Sequence, residues 1–241
     1  MSGDNDKGVN VERCVEPELL DHLPASDPGA VRSRRDLTRV NVLMGHAAIM
    51  ARSLTACAAG RRPRVLFDIG AGDGTFMLRV ARRLAPRWPD CRLILLDRQN
   101  IVSAETRAAF AALTWTIETV AADVFDFFGA AGCPNADAVT ANLFLHHFRD
   151  EPLSRLMALI AQHTPLFLAC EPRRDALASA GSRLLWAIGC NHVTLHDAAA
   201  SVRAGFRGGE LTASWPRSNG WELQECAAGL FSHSFAAWRR A

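Results

Sequence analysis

Five polar residues stand at or just beyond the ends of apolar runs: Asp68, Asp97, Asp123, Asn142 and Glu171. Carboxylates and amides so placed can accept hydrogen bonds from a ligand's hydroxyls or amines, or balance a cation. Asp68 also opens the run Asp68-Ile69-Gly70-Ala71-Gly72-Asp73-Gly74-Thr75. Its alternate glycines allow a tight reversal and leave room for a ligand where a Cβ would clash, and a following helix would aim its free N–H groups at the same place. After Asn142 comes Leu143-Phe144-Leu145-His146-His147-Phe148. A neutral imidazole, with an ordinary pKa of about 6.5, can accept a proton near pH 7. The chemistry on offer is a nucleotide-like ligand held at a glycine turn, beside a candidate proton acceptor.

The elements that must position these residues alternate. Strands are predicted at 64–69, 92–97, 115–121, 136–142 and 166–171, and helices at 75–85, 103–112 and 151–163, with a shorter turn at 125–130. Strands and helices alternating over short connections signal a parallel sheet covered on both faces, whose strand carboxyl ends form one ligand-binding rim. Upstream, Leu37, Val40, Met44, Ala47, Met50 and Leu54 recur at helical spacing, predicting one amphipathic helix, bent at Gly45 and ending before Gly60. It serves either as a lid over the cleft or as a packing helix at the sheet edge. Residues 16–23 suggest a short helix stopped by Pro24, and the polar residues 1–15 lack periodicity and are expected to be disordered. Beyond the fifth strand, a helix at 175–188, a second around 198–204 and strands at 221–226 and 230–238 predict an antiparallel hairpin at the end.

Composition narrows the function. At 241 residues, 49% hydrophobic, 22% charged and +2 net, the chain suits one α/β core and calls for no nucleic-acid partner. Seven cysteines without a C-x-x-C pair suit reduced thiols in a cytoplasmic protein rather than disulfides or a zinc site, and no metal is expected. No apolar run is long enough for a membrane span. Tyrosine is absent, which removes a phenolic acid or base.

The pattern Asp-x-Gly-x-Gly-x-Gly at 68–74 resembles motif I of class I S-adenosylmethionine-dependent methyltransferases. It differs from the Gly-x-Gly-x-x-Gly of dinucleotide enzymes, and Asp68 with Asp73 would place like charge beside a pyrophosphate. The resemblance covers 64–171 with good motif order. It implies a doubly wound, Rossmann-like α/β fold with a seven-stranded sheet and an antiparallel final hairpin. The implied organisation is a tail (1–15), an N-terminal helical lid (16–60) and a methyltransferase domain (61–241) with an insertion at 191–215. The implied cofactor is S-adenosyl-L-methionine, its methionine part at Asp68, Gly70, Gly72 and Gly74, its ribose at Asp97 and its adenine at Asp123 and Val124, with Asn142 nearby. The segment 142–151 resembles O-methyltransferases in which the first histidine is the general base, here His146; packing or helix capping is the alternative role for His146 and His147. Residues 33–37 and 201–206 look like bacterial methyltransferases of polyketide-type pathways, implying O-methylation of an aromatic or polyketide-like small molecule.

Phe144, Phe148, Trp186, Phe206 and Trp215 would suit a flat acceptor, or simply fill a core. His192 or His196 could touch the substrate, Asp197 could cap the helix from Ala198, Arg203 and Arg207 could meet an acidic group or water, and Glu171 could be a polar contact or a loop anchor. A homodimer is left open. A cofactor-binding module without turnover and, less well fitted, a nicotinamide-dependent oxidoreductase are the alternatives.

Overall fold

The computed structural model describes residues 12–24 and 26–239. Seven strands form one sheet in the order β3-β2-β1-β4-β5-β7-β6. The strands are β1 (Val65–Ile69), β2 (Arg92–Asp97), β3 (Thr116–Ala121), β4 (Ala138–Asn142), β5 (Leu166–Pro172), β6 (Trp221–Ala228) and β7 (Ser232–Arg239). The first five run parallel, while β7 lies antiparallel to both β5 and β6. The predicted doubly wound sheet with a reversed final hairpin is therefore present. The order reverses between β1 and β4, and such a reversal opens a crevice beyond the carboxyl ends of the strands.

Successive strand residues face opposite layers, so buried strands read as apolar runs. Leu66 packs with Met50, Leu54 and Met77 on one face. Phe67 and Ile69 pack with Leu156, Met157 and Ile160 on the other. The covering helices are α4 (Thr75–Leu84), α5 (Ala104–Ala111), α6 (Val124–Gly129) and α7 (Asp150–His163), close to the predicted ranges.

The N-terminal part departs from the prediction. Two helices, α2 (Pro28–Leu43) and α3 (His46–Cys57), replace the single bent one, following the short α1 (Leu19–His22). Gly45 separates them in the left-handed conformation, φ 69°, which ends one helix and starts the next in a new direction. The two expected roles divide between them: Arg34, Leu37, Thr38 and Asn41 of α2 line the cleft, whereas Met50 and Leu54 of α3 enter the core.

Of the tail expected to be disordered, residues 1–11 lie outside the described residues. Residues 12–15 are held in place, with Arg13 donating to the carbonyls of Ala204 at 2.8 Å and Phe148 at 2.7 Å and lying 4.4 Å over the Phe206 ring.

In the C-terminal part the predicted long helix shortens to α8 (Ala176–Arg183) followed by a 3₁₀ turn. The helix expected at 198–204 instead begins at His192 as α9 (His192–Ala204), because Asn191 accepts from Thr194 N–H and caps it there. A further short helix, α10 (Glu210–Ser214), precedes the hairpin, whose connection falls at 229–231, later than predicted. Among the described residues no helix is long and apolar enough to cross a membrane.

Candidate active site

A cleft of about 950 Å³ lies at the carboxyl ends of β1, β2 and β4. All the cofactor and catalytic residues predicted from sequence line it except Gly74. That glycine serves packing: a Cβ there would stand 3.0 Å from Leu95 Cδ1, so its absence lets α4 approach β2.

β1 ends on Asp68, a buried carboxylate whose Oδ1 accepts from Thr140 Oγ1 at 2.7 Å. Burial pushes its carboxyl up to about 7; the Thr140 hydrogen bond opposes this and the negative Asp97 adds to it. The turn then passes through Gly70, Gly72 and Gly74 at φ 68°, 55° and 74°. At Gly70 a Cβ would lie 2.3 Å from Phe144 Cδ2. Left-handed strain and this overlap together predict that Gly70→Ala destabilises the fold by about 2–4 kcal/mol, read as a lower urea midpoint. An unchanged midpoint would mean that the turn and Phe144 separate freely.

Asp97 ties the end of β2 to the turn, accepting from Gly72 N–H through Oδ2 and from Gln99 N–H through Oδ1, each at 2.9 Å. Asp123 accepts from Phe125 N–H at 2.8 Å and so starts α6, with Val124 as its first residue. Asn142 is oriented from two sides. Its Oδ1 accepts from His46 Nδ1 at 2.7 Å and its amide donates to Asn41 Oδ1 at 3.2 Å. The other His46 nitrogen accepts from Ser232 Oγ at 2.6 Å, and burial lowers the His46 pKa to about 4, keeping the ring neutral.

His146 sits on a 3₁₀ turn at Leu145–His147, entered through Leu143 at φ 52°, an uncommon conformation for a side-chain-bearing residue. Its ring is buried between two carboxylates. Nδ1 is 2.8 Å from Glu171 Oε2, and Nε2 is 3.3 Å from Glu18 Oε1. Glu171 also accepts from the N–H groups of Phe144 and Leu145 at 3.0 and 2.9 Å, so one side chain at the end of β5 shapes the whole turn. An imidazole can donate to two carboxylates only when both nitrogens carry protons. Burial opposes that charge, yet the hydrogen bonds and charges of Glu171 and Glu18 outweigh it and raise the His146 pKa to about 9. Burial alone would raise both glutamates, but contact with His146 holds each below the usual carboxylate range. The two carboxylates thus favour the protonated form of the ring.

Beside it, His147 lies with its ring centroid 4.3 Å from that of His146, and its Nδ1 is 3.5 Å from Asp21 Oδ2. Ligand-type atoms of Glu18, His146 and His147 fall within 4.8 Å of one another. A cation there would have to break the His146–Glu18 contact.

The remaining candidates separate. Asp197 does not cap its own helix; it accepts from Leu19 and Leu20 N–H at 2.8 and 3.0 Å, holding α1 against α9. His192 and His196 are exposed and absent from the cleft lining, as are Arg203, which pairs with Glu16, and Arg207. Of the aromatic set only Phe144 and Phe148 reach the cleft, while Phe206 and Trp215 are core and Trp186 is 66% exposed. Glu18 and Ser201 also line the cleft, and sequence reasoning had singled out neither for it; no local pattern marks them.

A model of the O-methyltransferase domain family matches residues 31–166. Strychnine O-methyltransferase of Strychnos nux-vomica is 33% identical over 92 residues, covering 38% of this chain and 22% of that protein. An uncharacterized methyltransferase of Mycobacterium bovis is 36% identical over 99 residues, covering 39% of this chain and 44% of that one. The match thus spans less than half the length of either relative. Among solved structures, the plantazolicin methyltransferase BpumL, in complex with a substrate analogue and SAH, superposes with TM-score 0.61 at 14% identity, covering 89% of this chain and 92% of that chain. The mitomycin 7-O-methyltransferase MmcR gives 0.55 at 22% identity, covering 92% and 60%. Both share the fold described above.

Proposed function

The chain belongs to the O-methyltransferase domain family, and from that premise we propose that it transfers the methyl group of S-adenosylmethionine to a hydroxyl of a small aromatic or polyketide-like molecule. The observation that carries this reading is one cleft holding both the glycine turn with its strand-end acids and the Glu171–His146–Glu18 array. The first half suits the cofactor, and the second suits removal of an acceptor's proton.

The residues fit the cofactor on their own chemistry. Asp68 is a buried carboxylate with one oxygen beyond its Thr140 bond, and a cationic ammonium would relieve its desolvation. Asp97 keeps lone pairs on both oxygens for a vicinal diol, and Asp123 keeps its second oxygen for an amino group. When bound, S-adenosylmethionine supplies an electrophilic methyl on a sulfonium. The protein's part is to position the acceptor oxygen in line and to hold its proton, with His146 at the centre of the proton-handling array. Seven unpaired cysteines accord with a reducing, cytoplasmic setting.

Calorimetric titration with S-adenosylhomocysteine and NAD, together with transfer of labelled methyl to phenols, tests the reading. Binding of the homocysteine form and a labelled ether are expected; NAD binding without it would overturn the reading. The ammonium contact has its own pH signature. Asp68 must be ionised to make it, so affinity for S-adenosylhomocysteine should be level above pH 7 and weaken by up to about tenfold per unit below it. A level affinity from pH 5.5 to 8 would remove Asp68 from that role.

A further inference from the structure

We propose that the chain carries a second functional surface, outside the cleft, that docks on an anionic lipid bilayer. Nine large apolar side chains stand exposed among the described residues, and seven of them belong to three segments that touch one another. Leu177 and Leu184 share one face at α8, and the 3₁₀ turn that follows, Leu185–Ile188, adds Trp186 and Ile188. The others are Leu230 in the hairpin connection and Val42 and Leu43 at the end of α2. Leu43, Leu184, Trp186 and Leu230 are each between 61% and 70% exposed.

Packing joins these segments. Gly181 lies on the same helical face as Leu177 and Leu184, and a Cβ there would stand 2.8 Å from Phe231 Cε1, so the hairpin connection rests against α8. That connection also reaches α2, since a Cβ on Gly229 would lie 3.9 Å from Met44 O. At the other end of α2, Arg32 Nη2 donates to Gly189 O at 3.2 Å, just past the 3₁₀ turn. The two elements therefore run side by side and share one apolar surface. Contiguous exposed patches beyond about 300–600 Å² mark contact with a partner or a membrane, and seven large side chains exposed to this degree reach that size.

Charge selects the occupant. Arg32, Arg35 and Arg39 follow at helical spacing on the same exposed face of α2 as Val42 and Leu43, and Arg183 is exposed beside Leu184. No exposed carboxylate interrupts them in these segments: Asp36 is buried, and the half-buried Asp175 pairs with Arg173 at 2.7 Å. Tryptophan and aliphatic side chains enter the boundary between headgroups and acyl chains, while neighbouring arginines meet anionic headgroups. A second copy suits this surface less well, because a twofold contact would set each arginine row against its own equivalent.

α2 also connects the surface to the cleft. Its opposite face, with Arg34, Leu37, Thr38 and Asn41, lines the cleft, so docking brings that wall to about 10 Å, one helix diameter, from the lipid. An apolar acceptor dissolved in the bilayer is then concentrated beside the site.

The test sediments the full chain, without cofactor, with vesicles of phosphatidylcholine alone or with about 30% phosphatidylglycerol, at about 50 and 500 mM salt. Binding to the anionic vesicles at low salt is expected, weakened at least about fivefold by high salt or by neutral lipid. Trp186→Ala with Leu184→Ser, and separately Arg35→Gln with Arg183→Gln, should each lower the partition coefficient by about tenfold or more, with the thermal midpoint and affinity for S-adenosylhomocysteine unchanged. The proposal is overturned by no sedimentation with any vesicle, by equal binding to both vesicle types, or by anionic binding that both double variants retain. Self-association that Trp186→Ala with Leu184→Ser abolishes, with no vesicle binding, overturns it in favour of a second copy. The assay holds neither cofactor nor acceptor, so its failure leaves methyl transfer standing, and the reverse holds too.

Discussion

His146→Gln is expected to slow methyl transfer by about 10³-fold while S-adenosylhomocysteine affinity stays within about twofold, measured by single-turnover label transfer and calorimetry. The ring is the one cation between Glu171 and Glu18, and a glutamine amide cannot donate charge-assisted bonds to both. Removing it takes the proposed proton-handling group out of the cleft, while Asp68, Asp97 and Asp123 at the glycine-turn end are not in contact with it. Any change in the wild-type rate as pH passes through about 9 should be absent from the variant, which a merely structural residue would not alter. Turnover within about tenfold of wild type would remove His146 from the proton-handling array.

The same ring links stability to pH. Its folded pKa, about 9, lies above the ordinary histidine value, so its contribution is fully present below about pH 6.5 and is lost as pH rises through 9. Truncation to alanine would leave Glu171 buried against its backbone donors without its cation, and breaking a buried pair in this way typically costs about 3–5 kcal/mol. Glutamine also removes the cation but keeps an amide donor for Glu171, so it is the milder of the two substitutions.

Asp97→Ala is expected to weaken S-adenosylhomocysteine binding by at least about 10²-fold, because the proposed ribose contact would lose two charge-assisted bonds, each worth about 1.5–3 kcal/mol. A second loss comes from the turn itself. Gly72 and Gln99 each give up the acceptor of their N–H group, so the glycine run is freed from the end of β2. Asp97→Asn, which keeps one acceptor oxygen, should fall between the two. Calorimetry showing alanine-variant affinity within about threefold of wild type would place the ribose elsewhere.

What was legible in the sequence is what local pattern encodes. The buried strands are short apolar runs and the covering helices have a stripe, so their ranges, and the acids at their ends, follow from spacing alone. Asp68, Asp97 and Asn142 needed nothing more. Glu171 is different: its part depends on β5 lying beside β4, with Cys170 opposite Asn142, which sets the next residue under the His146 turn. Glu18 meets a ring 128 residues away and carries no periodic signal. Asp197 was misread for a related reason. It precedes an alanine run like a cap, but Asn191 starts the helix earlier, and the carboxylate is free to hold a different helix. Gly45 shows the limit of spacing, since its break in the pattern fits either a bend or the full interruption found at φ 69°.

The final strand, β7, lies inside the sheet, between β5 and β6, and begins with the Ser232 that steadies His46 and, through it, Asn142. On the ribosome this arrangement sets an order of events. A nascent chain that has emerged only as far as β6 exposes the long edge of β5, seven buried residues in the finished fold, with nothing yet to pair it. Such an edge is sticky, and synthesis at about 5–20 residues per second leaves it open until β7 follows. Both the first described segment and the last strand must be in place before the cleft is complete, so a messenger truncated ahead of Ser232 would yield an aggregating chain rather than a weakened enzyme.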